Sequence, residues 1–460
     1  MSFLERFQLL IASFSVSIVF FMRTLFIFRQ DLRLHDNKGL LEAMRNSKKI
    51  LPIFILDSNI RKEFGVKDPR FWFILEAVEL LDRELQKYGG RLSVYIGDPL
   101  EVVKDIIQKE KISSIFANRS YSPYGKKRDD AINDFALSRG IPYVLVKDFL
   151  LVEPEEVEVR KVFTPFSKLW RKHIEFNHIY ASPISFDIED ELLWWIDWYT
   201  PLERRNIWEV FWYQKFHPYW TIPFGKSRLK INWDTYDDTR NFPWIDGSTR
   251  LSPYIRFWIF SIRELFRQFQ YNPTIINELA WREFWYHIAY YFPNIYYEEF
   301  QEKKRHIQWE MNDYLWSKFQ NGETGYPLID AAIRQLYETN WMHNRLRMVV
   351  ASFLTKNLWI DWRRGEKWFR QYLIDYDEAI NIGNWQWSAS VGADPKPIRI
   401  FNPLLQSERF DLQAVFIKKY LPELQGVSAK DIHSLNLSHL YIPTIVDQKL
   451  SAAKAKERYK

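Results

Sequence analysis

The sequence predicts a doubly wound, parallel-sheet α/β domain of Rossmann-like type, then a long connection and an all-helical domain. Two patterns carry that expectation. From Met22 to about residue 150, short β-branched apolar runs alternate with amphipathic stretches, the signature of βαβ units. Beyond that the composition changes: nineteen of the 21 Trp lie at or after Trp194, and only Trp72 falls in the first 150 residues. The two halves therefore have different cores, and 460 residues leave room for both.

In chain order, residues 7–21, FQLLIASFSVSIVFF, are marginal for a membrane span and lack the flanks of a signal peptide. Residues 1–21 are expected to be a miscalled extension, with Met22 the functional start and no stable membrane association. Five strands are expected, at 24–28, 50–56, 92–97, 113–117 and 142–146. Between the second and third, Ile74, Ala77, Val78, Leu81 and Leu85 repeat at helical spacing. Residues 22–150 are thus the α/β domain. Residues 151–215, acidic and punctuated by Pro, read as an interdomain linker. Residues 216–425 read as the helical domain, with LIDAAIRQLY and LRMVVASFLTKNLWI as clear periodic segments, and residues 426–460 as a basic, partly frayed tail.

Composition excludes whole classes of chemistry. With no Cys there is no disulfide, thiolate metal site or cysteine nucleophile, and a reducing cytoplasm fits best. There is no G-x-G-x-x-G, and GKS at 225–227 is not a phosphate loop because Trp220 stands where Gly is needed. H-E-x-x-H and G-x-S-x-G are absent as well, and no metal site is expected. A net charge of +6 permits a polyanionic partner without demanding one. What remains is a helical domain crowded with Trp, Arg and Asn, able to stack a planar ring and hold phosphates. For any single Trp, core packing is the default.

Four long segments resemble the flavin-binding domain of the photolyase and cryptochrome family: DGSTRLSPYIRFWIFS (246–261), NELAWREFWYHI (277–288), TGYPLIDAAIRQLYETNWMHNRLRMVVASFL (324–354) and IDYDEAINIGNWQWSASVGADPKPIRIFNP (374–403). FRQDLRLHDN (28–37) resembles the family's N-terminal motif. The likeness runs from Met22 to about Asp411. Within the family, Asn344 and the WQW at 385–387 look like a class I cyclobutane pyrimidine dimer photolyase. The resemblance implies light-driven repair of UV-damaged DNA, in which excited FADH⁻ lends an electron to a flipped-out dimer. A blue-light photoreceptor of cryptochrome type is the alternative.

The resemblance also assigns roles. FAD binding maps onto Tyr236, Ser248, Thr249, Arg250, Leu251, Ser252, Asn344, Arg347, Asp375, Asp377 and Asn381. Arg347 and Asp375 are expected to pair beside the ring, and Asn381 to face the flavin N5. Glu278 matches the carboxyl that meets the thymine edge, with burial among aromatics expected to keep it neutral; Trp281 and Trp387 match the pocket walls. Arg240, Arg282, Arg345 and Arg399, with Glu278, Trp281, Asn344 and Trp387, match DNA-contacting positions. Trp385, Trp362 and Trp309 match the chain that photoreduces the flavin. In the α/β domain, Tyr124 and Gly125 stand where folate-binding members carry Asn-Glu, so the expected antenna is FMN, FAD or a deazaflavin rather than folate. The protein is expected to act as a monomer.

Overall fold

The computed structural model describes residues 23–63, 68–177, 193–198, 220–393, 398–437 and 440–459. The segment expected to be an extension, residues 1–21, lies outside them. All five expected strands form, as β1 (Thr24–Phe28), β2 (Lys49–Asp57), β3 (Ser93–Gly97), β4 (Ser114–Asn118) and β5 (Tyr143–Val146). They pair in parallel in the order β3-β2-β1-β4-β5. Alternation along the strands divides two cores: Leu25, Ile27, Leu51 and Ile53 face one side, and Phe26, Phe28, Ile50 and Phe54 the other.

Helices α1 (Lys38–Asn46) and α2 (Pro69–Lys87) cover the second face; α3 (Pro99–Lys109) and α4 (Pro123–Ser138) cover the first. Three of the four begin at a Pro preceded by a capping side chain. Asp68, Asp98 and Ser122 each accept from a first-turn backbone N–H, so the start of each helix is written into two adjacent residues. The chain order reverses between β1 and β4, and the carboxyl ends of those strands open there.

The expected linker carries more structure than its composition suggested. Phe163, Phe166, Trp170 and Ile174 form a buried stripe on α5 (Phe163–Phe176), and Asp197–Trp198 adds β6 to the sheet. β6 pairs with Lys49 and Ile50, the start of β2, because β3 reaches only as far as Ile53.

The helical half places α6 (Ser252–Arg256), α7 (Ile262–Phe269), α8 (Pro273–Tyr291), α9 (Pro327–Thr339) and α10 (Asn344–Ser352) in sequence, then α11 (Trp362–Tyr372) and α12 (Glu378–Ser388). Its core is continuous with one face of the sheet. The joint between the halves is ionic as well as apolar. Arg263, 2% exposed, donates to Asp36 at 3.0 Å and to Asp148 at 2.7 Å, and Arg33 donates to Asp148 at 2.5 Å. Despite its burial, Asp148 is held down to about 2 by Arg33 and Arg263. Much of the motif at 28–37 serves this joint, and its Asp31 accepts from Asn37 and Asn118 inside the α/β domain.

The tail expected to fray is docked. α13 (Gln448–Arg458) ends at Tyr459, 2% exposed, whose hydroxyl donates to the Ala389 carbonyl beyond α12. Asn357 donates to Ser451 at 2.9 Å, and Trp359 and Tyr459 pack edge to face. The basic composition hid one buried aromatic anchor that outweighs it.

Candidate functional site

A turn before α6 and the end of α11 build one side of the site. Arg228, 4% exposed, draws the carbonyls of Ser248 and Thr249 toward itself at 2.6 and 3.2 Å and pairs with Asp246 at 2.7 Å. Arg250 then takes φ 53°, in the left-handed region, so the turn doubles back into α6. Arg347 and Asp375 form the expected pair at 2.8 Å, and Ser252 donates to the same Asp375 oxygen at 2.6 Å. The other oxygen, Oδ1, is buried without a partner. Leu251 and Tyr236 are buried beneath, while Ser252 and Asn344 are exposed.

Asn381 lies on α12, where its amide donates to the Glu366 carboxylate at 3.1 Å, and Tyr376 donates to the same oxygen at 2.9 Å. Burial pushes the Glu366 carboxyl up. Glu366 therefore fixes the Asn381 amide in one orientation, which the sequence reading missed. Asp377 caps α12 through the Ile380 N–H at 3.2 Å and accepts the Tyr286 hydroxyl; it also lines the cleft of the α/β half.

A second surface gathers the expected DNA contacts. Arg240 pairs with Glu278 at 2.7 Å, and Arg345 donates to Asn241 at 2.6 Å with its guanidinium 4.4 Å from the Phe410 ring centre. Burial, then Arg240 and Arg409, lower the Arg345 pKa, so three guanidiniums share this rim; Arg409 was not foreseen. Arg399 is exposed and stands 5.4 Å from the centre of the Trp387 ring. Trp387 is half-buried. Trp281 is half-buried too, with one face stacked on Phe163 at 3.6 Å.

Two expectations are corrected here. Arg282 does not join the expected DNA-facing surface: it is 7% exposed, lies 3.8 Å from the centre of the Phe149 ring and donates to the Phe149 carbonyl, across the joint between the halves. On a helix packed on two sides, a motif Arg can face either way, and this one faces inward. Glu278 is not walled in by aromatics: its side chain is about one-third exposed and pairs with the Arg240 guanidinium.

Lys356 was also missed. It is 1% exposed, in the π-turn Phe353–Asn357 that follows α10, and its ammonium donates to the Ser388 carbonyl at 2.6 Å, to Ser390 Oγ at 2.9 Å and to the Arg399 carbonyl. It thereby clasps the carboxyl end of α12, which carries Trp387, to the strand of chain carrying Arg399. Burial, and then Arg399, push its pKa down to about 7. His343 lies between the two surfaces; burial first, then Arg345, Arg250 and Arg347, push its pKa down to about 3, so it is neutral.

Of the three expected electron-chain Trp, Trp385 packs on the helix that Trp362 opens, and Trp362 and Trp309 share one acceptor. The Trp385 ring packs so closely on Gly365, three residues into α11, that a β-carbon there would lie 2.2 Å from it. Trp362 opens α11, and its indole N–H and that of Trp309 both donate to Oε1 of Glu299, at 3.2 and 3.3 Å.

In the α/β half, a cleft of about 440 Å³ opens at the carboxyl ends of β1, β2 and β4, closed on its far side by Trp258, Tyr286 and Tyr376 of the helical half. Tyr124 donates to Asp57 at 2.5 Å at its edge, and Arg29 pairs with Asp129 at 2.6 Å deeper in. This is where a doubly wound sheet binds ligands.

The donor set fits a flavin dinucleotide: a left-handed turn beside hydroxyls for phosphates, an unpartnered buried carboxylate oxygen, an oriented amide, and cations nearby. Among the described residues, no cluster of His, Asp and Glu could hold a metal, and no helix is long and apolar enough to cross a membrane.

Comparison with known proteins covers both halves. Residues 24–184 match the DNA photolyase family, and residues 275–460 match the FAD binding domain of DNA photolyase. A deoxyribodipyrimidine photo-lyase of Synechococcus sp. is 35% identical, the match covering 95% of this chain and 96% of that protein. That of Escherichia coli is 32% identical over 88% and 90%. Among solved structures, an archaeal photolyase from Sulfolobus tokodaii with two FAD molecules superposes with a TM-score of 0.79 at 32% identity, covering 95% of this chain and 99% of that one. A Synechocystis cryptochrome does so with a TM-score of 0.83 at 27% identity over 95% and 99%.

Proposed function

Because this chain belongs to the DNA photolyase family, we propose that its helical half cradles FAD between the 246–252 turn and α12 and offers it to a pyrimidine dimer flipped out of DNA. The protein is a deoxyribodipyrimidine photo-lyase, a light-driven carbon–carbon lyase of DNA repair. FAD is its cofactor. Bound and reduced, that cofactor supplies the light-driven electron that opens the cyclobutane ring and takes it back, with no net redox change.

The roles of the residues are our reading. Ser248, Thr249 and Ser252 hydroxyls and the backbone N–H groups of the turn hold the pyrophosphate, and Arg228 orients their carbonyls away from it. Tyr236, Leu251 and Asp377 complete the cradle. Asp375 and Arg347 flank the ring, the guanidinium favouring negative charge there, while Asn381, its amide set by Glu366, faces N5. The Arg240–Glu278 pair supports a role at the lesion: Glu278 meets the thymine edge once Arg240 turns to a phosphate. Trp281 and Trp387 wall the dimer, and Arg345, Arg399 and Asn344 rim the opening. Phosphate contacts there make binding salt-sensitive.

Asn344 and the WQW at 385–387 favour class I. The α/β cleft suits a second, flavin-type chromophore; the Sulfolobus relative's two FAD molecules support that over folate. We expect a monomer acting in the cytoplasm.

The observation that carries this reading is the Ser252–Asp375–Arg347 cluster, whose buried Asp375 leaves one carboxylate oxygen open, in a chain matched over 95% of its length by a photo-lyase. The test is to incubate reduced holoprotein with a thymine-dimer oligonucleotide in the dark and in blue light. Restored thymines only in the light are expected, with Glu278→Ala retaining FAD but losing yield severalfold. Light-independent binding without repair would instead favour a photoreceptor, the reading to which the Synechocystis cryptochrome likeness points.

A further inference from the structure

The three electron-chain Trp differ in what surrounds their indole nitrogens. Trp385 is 1% exposed and its N–H has no partner. Trp362, equally buried, donates to Glu299 at 3.2 Å, and half-buried Trp309 donates to the same oxygen at 3.3 Å. Arg363 closes on that carboxylate from the other side, Nη1 to Oε1 at 3.0 Å and Nη2 to Oε2 at 2.8 Å. Its guanidinium carbon also stands 4.7 Å from the centre of the Trp362 ring. Among the described residues, no such cation covers Trp309.

An indole that loses an electron carries a positive charge until its proton leaves. A carboxylate on the N–H stabilises that cation, whereas a guanidinium over the ring favours the electron-rich neutral ring and opposes it. Trp385 has no such help in a dry setting where charge is costly. Trp362 has both influences, of opposite sign. Trp309 has the carboxylate and access to water. Although burial opposes it, Arg363 holds the Glu299 pKa below the usual carboxylate range, so Glu299 stays ionised and is too weak a base to take the indole proton itself.

We propose that Glu299, with Arg363, makes the outward passage of positive charge downhill and holds it on Trp309. Glu299 is a positioning residue for photoreduction, and the inference rests on the reading of Trp385, Trp362 and Trp309 as an electron chain. In each event one electron leaves Trp309 for the Trp362 cation. Trp362 is restored to neutral, and Trp309 carries the charge until its N–H proton passes to water. The first oxidant is the photoexcited oxidised flavin, and a thiol in solution returns one electron to Trp309 and becomes a thiyl radical, its proton restoring the indole N–H.

The test is flash photolysis of oxidised holoenzyme, reading the lifetime of the tryptophan cation absorption before recombination. In Glu299→Gln, which keeps an acceptor but removes the charge, that lifetime is expected to shorten by about tenfold or more. Glu299→Asp should restore part of it. An unchanged lifetime in a Gln variant with full FAD content overturns the proposal. If that variant does not retain FAD, Arg363→Gln decides: uncovering the Trp362 ring lets the charge return there and shortens the lifetime, and no change overturns the proposal. Trp309→Phe separates the two levels. Undiminished photoreduction in that variant removes the chain reading itself; abolished photoreduction beside an unaltered Glu299→Gln removes only the role of Glu299.

Discussion

The cleft of the α/β half and the cradle of the helical half solve ligand binding differently. The cleft is a by-product of topology: strand order reverses between β1 and β4, their carboxyl ends part, and polar groups around the gap are mostly closed on one another, Tyr124 on Asp57 and Arg29 on Asp129. The cradle has no such generic origin. It is assembled from the 246–252 turn and the ends of α10, α11 and α12, each held by a buried charged residue: Arg228, Asp375, Glu366 or Lys356. A gap supplied by the fold tolerates exchange of its lining. A cradle held by buried charge does not, because removing one partner strands the other.

Asp375→Ala should break the cradle most severely, since it frees Arg347 and Ser252 at once. FAD retention after gel filtration should fall about tenfold or more, roughly 1.4 kcal/mol or above, while the α/β cleft is untouched; retained FAD would mean the pair is only structural. Acid comes next, and it should act on the helical half. Burial pushes the His287 pKa down to about 4, and burial followed by nearby Arg residues pushes His343 down to about 3, both from an ordinary 6.5. The unfolded chain therefore binds more protons below pH 6.5, so stability present above that value is lost as pH falls toward 4, by about 1.4 kcal/mol per pH unit for each His. Urea melts at pH 7 and pH 5 measure it, and a double His287→Gln, His343→Gln variant should show a flatter slope. Smallest is Tyr124→Phe. Losing one hydrogen bond at the cleft edge should cost about 1 kcal/mol or less. Occupancy of a second chromophore should fall severalfold while FAD content and repair by directly excited flavin stay the same, as action spectra and extraction would show.

The contrast also explains what could be read from residues alone. The strands of the α/β half and the helix between the second and third were legible because their period is local. The cradle was legible only through long motifs, and those motifs carry positions rather than directions: Arg282 sits in the right segment and points into the joint, while Glu278 meets a guanidinium 38 residues away. Lys356, Glu366, Arg228 and Glu299 left no signal, since a charged residue reads as solvent-facing until its partners, distant in sequence, are folded against it. Nor could composition reveal that α13 docks, because one buried Tyr459 decides it.

The ionic joint of Arg33, Asp36, Asp148 and Arg263 has a practical corollary. Cut between Asp148 and α6, one fragment would keep two acids and one base while the other kept a lone guanidinium with no counter-ion in an apolar wall. Separately expressed pieces should therefore be insoluble, yet co-produced ones should find each other, which makes this seam a natural place for a light-repair enzyme that works only when two fragments are brought together.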